Sequence, residues 1–154
     1  LNPNTPVVKM RRFLFPQPQS SRVHAALLFL RAVAGTAFMH HGWSKIQNPL
    51  GWMGPEATMP PVLQSLAAVS EFVGGLCWIL GFLTPIASLG IFCTMTVAVY
   101  THAIIRGDPF VGRGGSYELA LVFAGVAGLL MLAGPGKYSI DGWISRRPRA
   151  PQPA

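Results

Sequence analysis

Six ionisable side chains stand within or at the ends of segments that are otherwise apolar: Arg31, His41, Lys45, Glu71, His102 and Glu118. Histidine, lysine and carboxylate groups brought to one level could hydrogen-bond the oxygens of a small lipophilic ligand such as a quinone, and move protons to and from them. In hydrocarbon an ionised group costs from about 3 to more than about 10 kcal/mol, so each of these residues must face protein or a polar cavity. The elements that carry them must therefore converge.

The spacing indicates how. At about 100° per residue, Arg31, Gly35, Phe38, Gly42 and Lys45 fall on one stripe of a first helix, with His41 at its edge. His40 lies on the opposite side, facing lipid or a partner. In a second helix Gln64, Glu71, Gly75 and Trp78 form a comparable stripe, and Gly74-Gly75 permits a close helix approach. Ser88, Met95 and His102 share one face of a third helix, with Tyr100 and Thr101 beside the histidine. In a fourth, Glu118 repeats to Gly125. Gly35, Gly42, Gly74, Gly75 and Gly125 are the expected packing positions.

If the helices alternate in direction, His41, Lys45, His102 and Glu118 come to one end of the bundle, with Glu71 deeper. Arg31 and Glu71 each lie about 13 Å from opposite faces. An Arg31–Glu71 ion pair and snorkelling of Arg31 toward the nearer headgroups are both open. The cluster as a whole could hold a ligand, or its members could hold only one another and lock the helices together.

Several chemistries lack support. No H-x3-H or H-E-x2-H spacing occurs, so no metal site is expected. Axial haem ligation by His41 and His102 is not expected either, and C-x2-C-H is absent. Without G-x4-G-K-[ST], G-x-S-x-G or G-x-G-x2-G, phosphate-loop, serine-hydrolase and dinucleotide chemistry have no foothold. The sequence specifies no cofactor, and quinone is the class the polar cluster would suit.

The framework reads as an all-α integral membrane four-helix bundle. The 154 residues are 51% hydrophobic and only 11% charged, with a mean hydropathy of +0.41, too apolar for an ordinary soluble domain. Helices are expected at about residues 23–43, 62–82, 86–105 and 116–133, each near the ~20 residues that span a bilayer. Pro60 and Pro61 open the second. Leu83-Thr84-Pro85 makes a tight turn, and Gly134-Pro135-Gly136 ends the fourth helix. The intervening residues 46–61, with Trp52 and Met53, suit an interfacial segment.

Residues 1–21 and 142–154 are basic, proline-rich tails. The first apolar segment is too long for a signal peptide, and Met10 before Arg11 and Arg12 would serve as an alternative start. Cys77 and Cys93 are expected to be small buried hydrophobes, although a tight hairpin would also bring them to similar depth. The formal charge is +7, but the basic residues gather in the tails, a pattern of membrane-surface attraction rather than nucleic-acid binding. Lys9, Arg11, Arg12, Arg22, Lys137, Arg146, Arg147 and Arg149 lie on one side, against Lys45, Arg106 and Arg113 on the other, so both termini are expected to be cytoplasmic.

Taken in order, these residues resemble a known family. Arg31-x3-Gly35-x2-Phe38-x2-His41-Gly42-x2-Lys45, Glu71-x2-Gly74-Gly75, Leu80-Gly81-Phe82-x2-Pro85, Met95-x2-Ala98-x3-His102, Tyr117-Glu118-Leu119-Ala120-Leu121 and Gly134-Pro135-Gly136-Lys137-Tyr138-Ser139-Ile140-Asp141 are similar to the DoxX family of small bacterial and archaeal membrane proteins. The tails and His40 stand outside that pattern. The resemblance implies a four-helix protein of the inner membrane. It also implies kinship with the membrane subunit of a thiosulfate:quinone oxidoreductase and with members linked to oxidative-stress complexes. The implied role is a subunit of a quinone-linked redox complex, acting beside other membrane subunits. A non-catalytic accessory subunit on a respiratory or photosynthetic complex is the alternative, and small-solute or proton transport a further one.

The charge asymmetry generates the first prediction. Reporter domains fused beyond Ala154 and inserted at Gly54 should report opposite compartments, the first cytoplasmic and the second not; the same compartment for both would refute the four-span topology.

Overall fold

The computed structural model describes residues 20–145, so the expectations for residues 1–19 and 146–154 lie outside it. Five α-helices occur among the described residues: α1 Ser21–Gln47, α2 Pro61–Leu80, α3 Thr84–Tyr100, α4 Glu118–Ala133 and the short α5 Ile140–Ile144. α3 runs on into a single π-helical stretch, Thr101–Ile105. Three spans, including the continuous Thr84–Ile105, are long and apolar enough to cross a membrane, and α4 is a shorter apolar helix. There are no strands among these residues.

The ends of the helices follow from local chemistry. α1 starts two residues earlier than expected because the Ser20 hydroxyl accepts from the Val23 amide, an N-cap. It continues past Trp43 for one more turn, placing Lys45 at the negative end of the helix. α2 begins with Pro61 at its first position and stops at Gly81, whose φ of 65° is left-handed. The Phe82 amide reaches back to the Cys77 carbonyl, closing the helix as glycine caps commonly do. α4 starts at Glu118 rather than 116, where the Glu118 amide donates to Phe110 O across the loop.

Packing is inverted relative to a water-soluble domain. Arg31, Gln64, Glu71, Thr84 and Ser88 are buried, whereas Phe29, Val33, Ile86, Val122 and Leu132 face outward and are exposed. That distribution suits hydrocarbon as the surrounding solvent. The apolar interior runs through Leu27, Ala34, Phe38, Trp78, Ile91, Met95, Ala124, Ala127 and Leu130. α1 lies along α2, α2 on α3 and α3 along α4, while α4 meets α1 only briefly. The Phe38 and Phe123 rings close that last seam edge-on at 4.8 Å between centroids.

The α1–α2 contact is the tightest. A Cβ on Gly35 would stand 2.6 Å from Gly75 O, one on Gly75 2.7 Å from Gly35 O, and one on Gly42 2.6 Å from the Phe72 amide nitrogen. Gly74 packs on Ile91 of α3. The expectation for Gly125 is not met: it is exposed and nothing lies within 4 Å of where its Cβ would stand. α4 instead turns Ala124, Ala127 and Leu130 inward, because with no interior polar group its register is set by small residues and Leu fitting against α3. Cys93 is likewise exposed rather than buried, and both cysteines are free thiols.

These two glycines give a paired prediction. Gly75→Val should destabilise the detergent-solubilised protein by about 1–3 kcal/mol through forced separation of α1 and α2, while Gly125→Val should leave its thermal unfolding nearly unchanged. Equal losses for both would contradict this packing.

Candidate functional site

The ionisable residues divide between the two ends of the bundle. At the end where α1 starts and the α2–α3 hairpin turns, Arg31 is wholly buried. Its Nη1 donates to Trp78 O at 2.8 Å and to Ile79 O at 3.4 Å, and its Nη2 donates to Tyr138 O at 2.6 Å. A guanidinium has five N–H donors and a fixed fork, so it can serve the last carbonyls of α2 and a third segment together. Among the described residues Arg31 forms no ion pair with a carboxylate: Glu71 is taken by Lys45, and the guanidinium is held by backbone carbonyls at the hairpin end.

Asp141 completes this end from the other side of the turn. Its two carboxylate oxygens accept from the Leu83 and Thr84 amides, each at 2.9 Å, capping α3, which has no side-chain cap of its own. The Asp141 amide donates to Gly81 O at 2.9 Å. Leu83 holds a left-handed φ of 48°, unusual for a branched side chain, and the carboxylate fixes it there. Lys137 ties the same segment to α1 through its Nζ on Ser21 Oγ at 2.7 Å. The result is an end fastened by hydrogen bonds from Arg31, Asp141 and Lys137.

The opposite end holds a cavity of about 240 Å³. Phe38, His41 and Lys45 reach it from α1, Glu71 from α2, Met95 and Ala98 from α3, His102 from the π-helical stretch, and Ser116, Leu119, Ala120 and Phe123 from α4 and its approach. All the sequence candidates except Arg31 and Glu118 thus converge. Glu118 opens α4 but is exposed and stands outside the lining, to which α4 contributes Leu119, Ala120 and Phe123. His40 points to the other side of α1, into an outward apolar groove with Thr36, Met39, Trp43 and Phe72, as the helical period indicates.

Polar chemistry in the cavity is organised by two pairs. Lys45 Nζ lies 2.6 Å from both Oε1 and Oε2 of Glu71, and the Glu71 side chain is 3% exposed. The ammonium also sits over the Trp52 ring, 4.6 Å from its centroid, a cation–π contact. Trp52 is held in turn by its Nε1–H donating to Gln64 O at 2.9 Å, so the α1–α2 loop packs on Lys45 behind the cavity lining. The second pair is His102 Nδ1 with Asp108 Oδ2 at 2.6 Å.

Asp108 and Trp52 were not among the sequence candidates. Asp108 follows His102 by six residues, a spacing that no regular helix brings together. The π turn does it: Arg106 N donates to Thr101 O, and Asp108 N to His102 O, folding the chain back at the helix end. Polar residues clustered within one turn of an intramembrane histidine were the available signal. Among the described residues no group of three or more His, Cys, Asp or Glu could hold a metal ion. The cavity offers instead aromatic and aliphatic walls, a buried ion pair and two imidazoles, a donor and acceptor set suited to a small ring bearing oxygens.

Comparison with known proteins agrees with the architecture. A family model described as DoxX matches residues 26–103, a stretch that contains Arg31, His41, Lys45, Glu71 and His102. An uncharacterized protein of Haemophilus influenzae is 28% identical over 117 residues, covering 75% of this chain and 87% of that protein. No solved structure matches.

The Lys45–Glu71 pair can be tested directly. Lys45→Met leaves a buried carboxylate without its cation and should destabilise the protein by about 3 kcal/mol, whereas Lys45→Met with Glu71→Met should recover most of that loss. Equilibrium unfolding in detergent measures both, and equal losses in the single and double variants would show that the pair is not coupled.

Proposed function

Starting from a chain that belongs to the DoxX family, we propose that it is a membrane subunit of a quinone-linked redox complex and that its cavity holds the quinone ring. The observation that carries this reading is the Lys45–Glu71 pair, its carboxylate buried, which lines one cavity together with His41 and His102, otherwise walled by Phe38, Met95, Leu119, Ala120 and Phe123. Apolar walls accept the ring, and the few polar groups address its oxygens. The chain's own residues bind and orient the ligand and exchange protons with it, and the electrons come from a centre on another subunit.

Entry from the bilayer fits the same arrangement. α4 touches α1 only briefly, and His41 lies exposed at that seam with its ring 6.4 Å from that of Phe123. A lipophilic ligand can enter sideways there with its tail left in lipid. The excess of basic residues in the two terminal segments of the sequence supports a cytoplasmic position for the end where α1 starts, and so an opening of the cavity toward the other face of an inner membrane.

Ala120 is half-buried at the cavity wall, so Ala120→Phe should fill the space without adding charge. The protein in lipid nanodiscs should bind a short-chain ubiquinone saturably, and Ala120→Phe should weaken that binding at least about tenfold while leaving the fold intact by circular dichroism. Absence of saturable quinone binding by the unaltered protein, alone and with co-purifying subunits, would sink this reading.

A further inference from the structure

The His102–Asp108 pair joins an imidazole that lines the cavity to a carboxylate that does not. Asp108 Oδ2 lies 2.6 Å from His102 Nδ1, and an ionised carboxylate can only accept a hydrogen bond. The Nδ1 atom must therefore carry the proton. In the neutral imidazole the other nitrogen, Nε2, is then a bare acceptor, and no protein group hydrogen-bonds it among the described residues. His102 lines the cavity, while Asp108 does not. The π-helical stretch Thr101–Ile105 and the Asp108 amide on His102 O at 2.9 Å fix both partners on one short, bonded loop. Gly115 leaves room for the carboxylate, since a Cβ there would come within 2.9 Å of Asp108 Oδ1.

We propose that Asp108 is a positioning residue that holds His102 in the Nδ1–H tautomer, so that Nε2 accepts a hydrogen bond from a ligand hydroxyl and the cavity takes the quinol form in preference to the quinone. This rests on the cavity being the quinone-class site. An Nε2 acceptor meets an O–H donor with a hydrogen bond and meets a ketone oxygen with lone-pair repulsion and an unmade bond, a mismatch that discriminates strongly in a partly dry site. Lys45 supplies donors near the same cavity in either case, and His41, with no hydrogen bond among the described residues to fix its tautomer, can adapt to either form, so the difference between the two forms falls on His102.

Two measurements on the full chain in lipid nanodiscs test this. The ¹⁵N shifts of His102 in the unliganded protein should show a protonated Nδ1 and an unprotonated Nε2 at a pH where the ring is neutral. The opposite tautomer would overturn the proposal without any variant. At that pH, short-chain ubiquinol should bind about tenfold tighter than the matching ubiquinone. Asp108→Ala should bring the two affinities to within about twofold of each other while ubiquinone binding itself persists. A ten-fold preference for the quinol that survives in Asp108→Ala, or no preference in the unaltered protein, would overturn the positioning role and leave the cavity reading standing. Failure of both forms to bind would overturn the cavity reading and this proposal together. If Asp108→Ala does not fold, Asp108→Leu, similar in size but with no acceptor for Nδ1–H, should likewise bring the two affinities to within about twofold, and a tenfold quinol preference that survives in it would overturn the proposal.

Discussion

A guanidinium sealed inside an apolar bundle needs oxygen around it, and the way Arg31 finds oxygen determines how the helices are joined. The cost of an unpartnered buried charge is several kcal/mol, more than most single contacts in a small protein return. Arg31 meets that demand at the C-terminus of α2 and at the Tyr138 carbonyl, where the helix dipole already favours a cation. Two parts of the chain, far in sequence from α1 and from each other, are thereby fixed to one side chain. Asp141 places the complementary charge at the N-terminus of α3, so the hairpin has a cation at its outgoing helix end and an anion at its incoming one. The turn itself contains two successive features of left-handed backbone, Gly81 and Leu83, which are tolerable because these charged groups satisfy the amides and carbonyls around them.

Closure at that end leaves the other end free to open. The Gly35–Gly75 and Gly42–Phe72 approaches draw α1 and α2 together along most of their length, and Trp78 donates to Ser88 Oγ at 2.9 Å to hold α2 to α3. With α4 attached mainly to α3, the space between α1 and α4 near Lys45 is not filled by backbone contact. Polar side chains line it because the alternating helices bring the ends of α1 and α3 to the same level. A rigid hairpin end and a cavity at the loop end are consequences of one distribution of small, charged and bulky residues.

The stripes of α1, α2 and α3 were legible because a helical period alone decides which residues share a face. Arg31, Gly35, Phe38 and Gly42 are buried together, as are Gln64, Glu71, Gly75 and Trp78, and Ser88 with Met95. On α4 the period gave a stripe through Glu118 and Gly125 that faces outward, since a helix made almost wholly of apolar residues has no polar marker for its inner side. The choice of partners was not legible at all. Lys45, one of several basic groups, took Glu71, and Arg31 took backbone carbonyls, because pairing depends on depth and on the angle between helices rather than on residue type.

What the sequence determined by itself is the class of molecule: apolar helices of membrane-spanning length, a tight turn between the second and third of them, which falls at residues 81–83, and charged residues that, Glu118 excepted, face inward because lipid would not solvate them. Tertiary structure alone decided that those charges form two separate groups, one that fastens the hairpin and one that lines a cavity. It also brought Asp108 to His102 and Asp141 to the start of α3, through a π turn and a short terminal helix that carry no periodic signal. Periodicity is a property of each helix taken alone, whereas a charge's partner is set by how the helices pack in three dimensions.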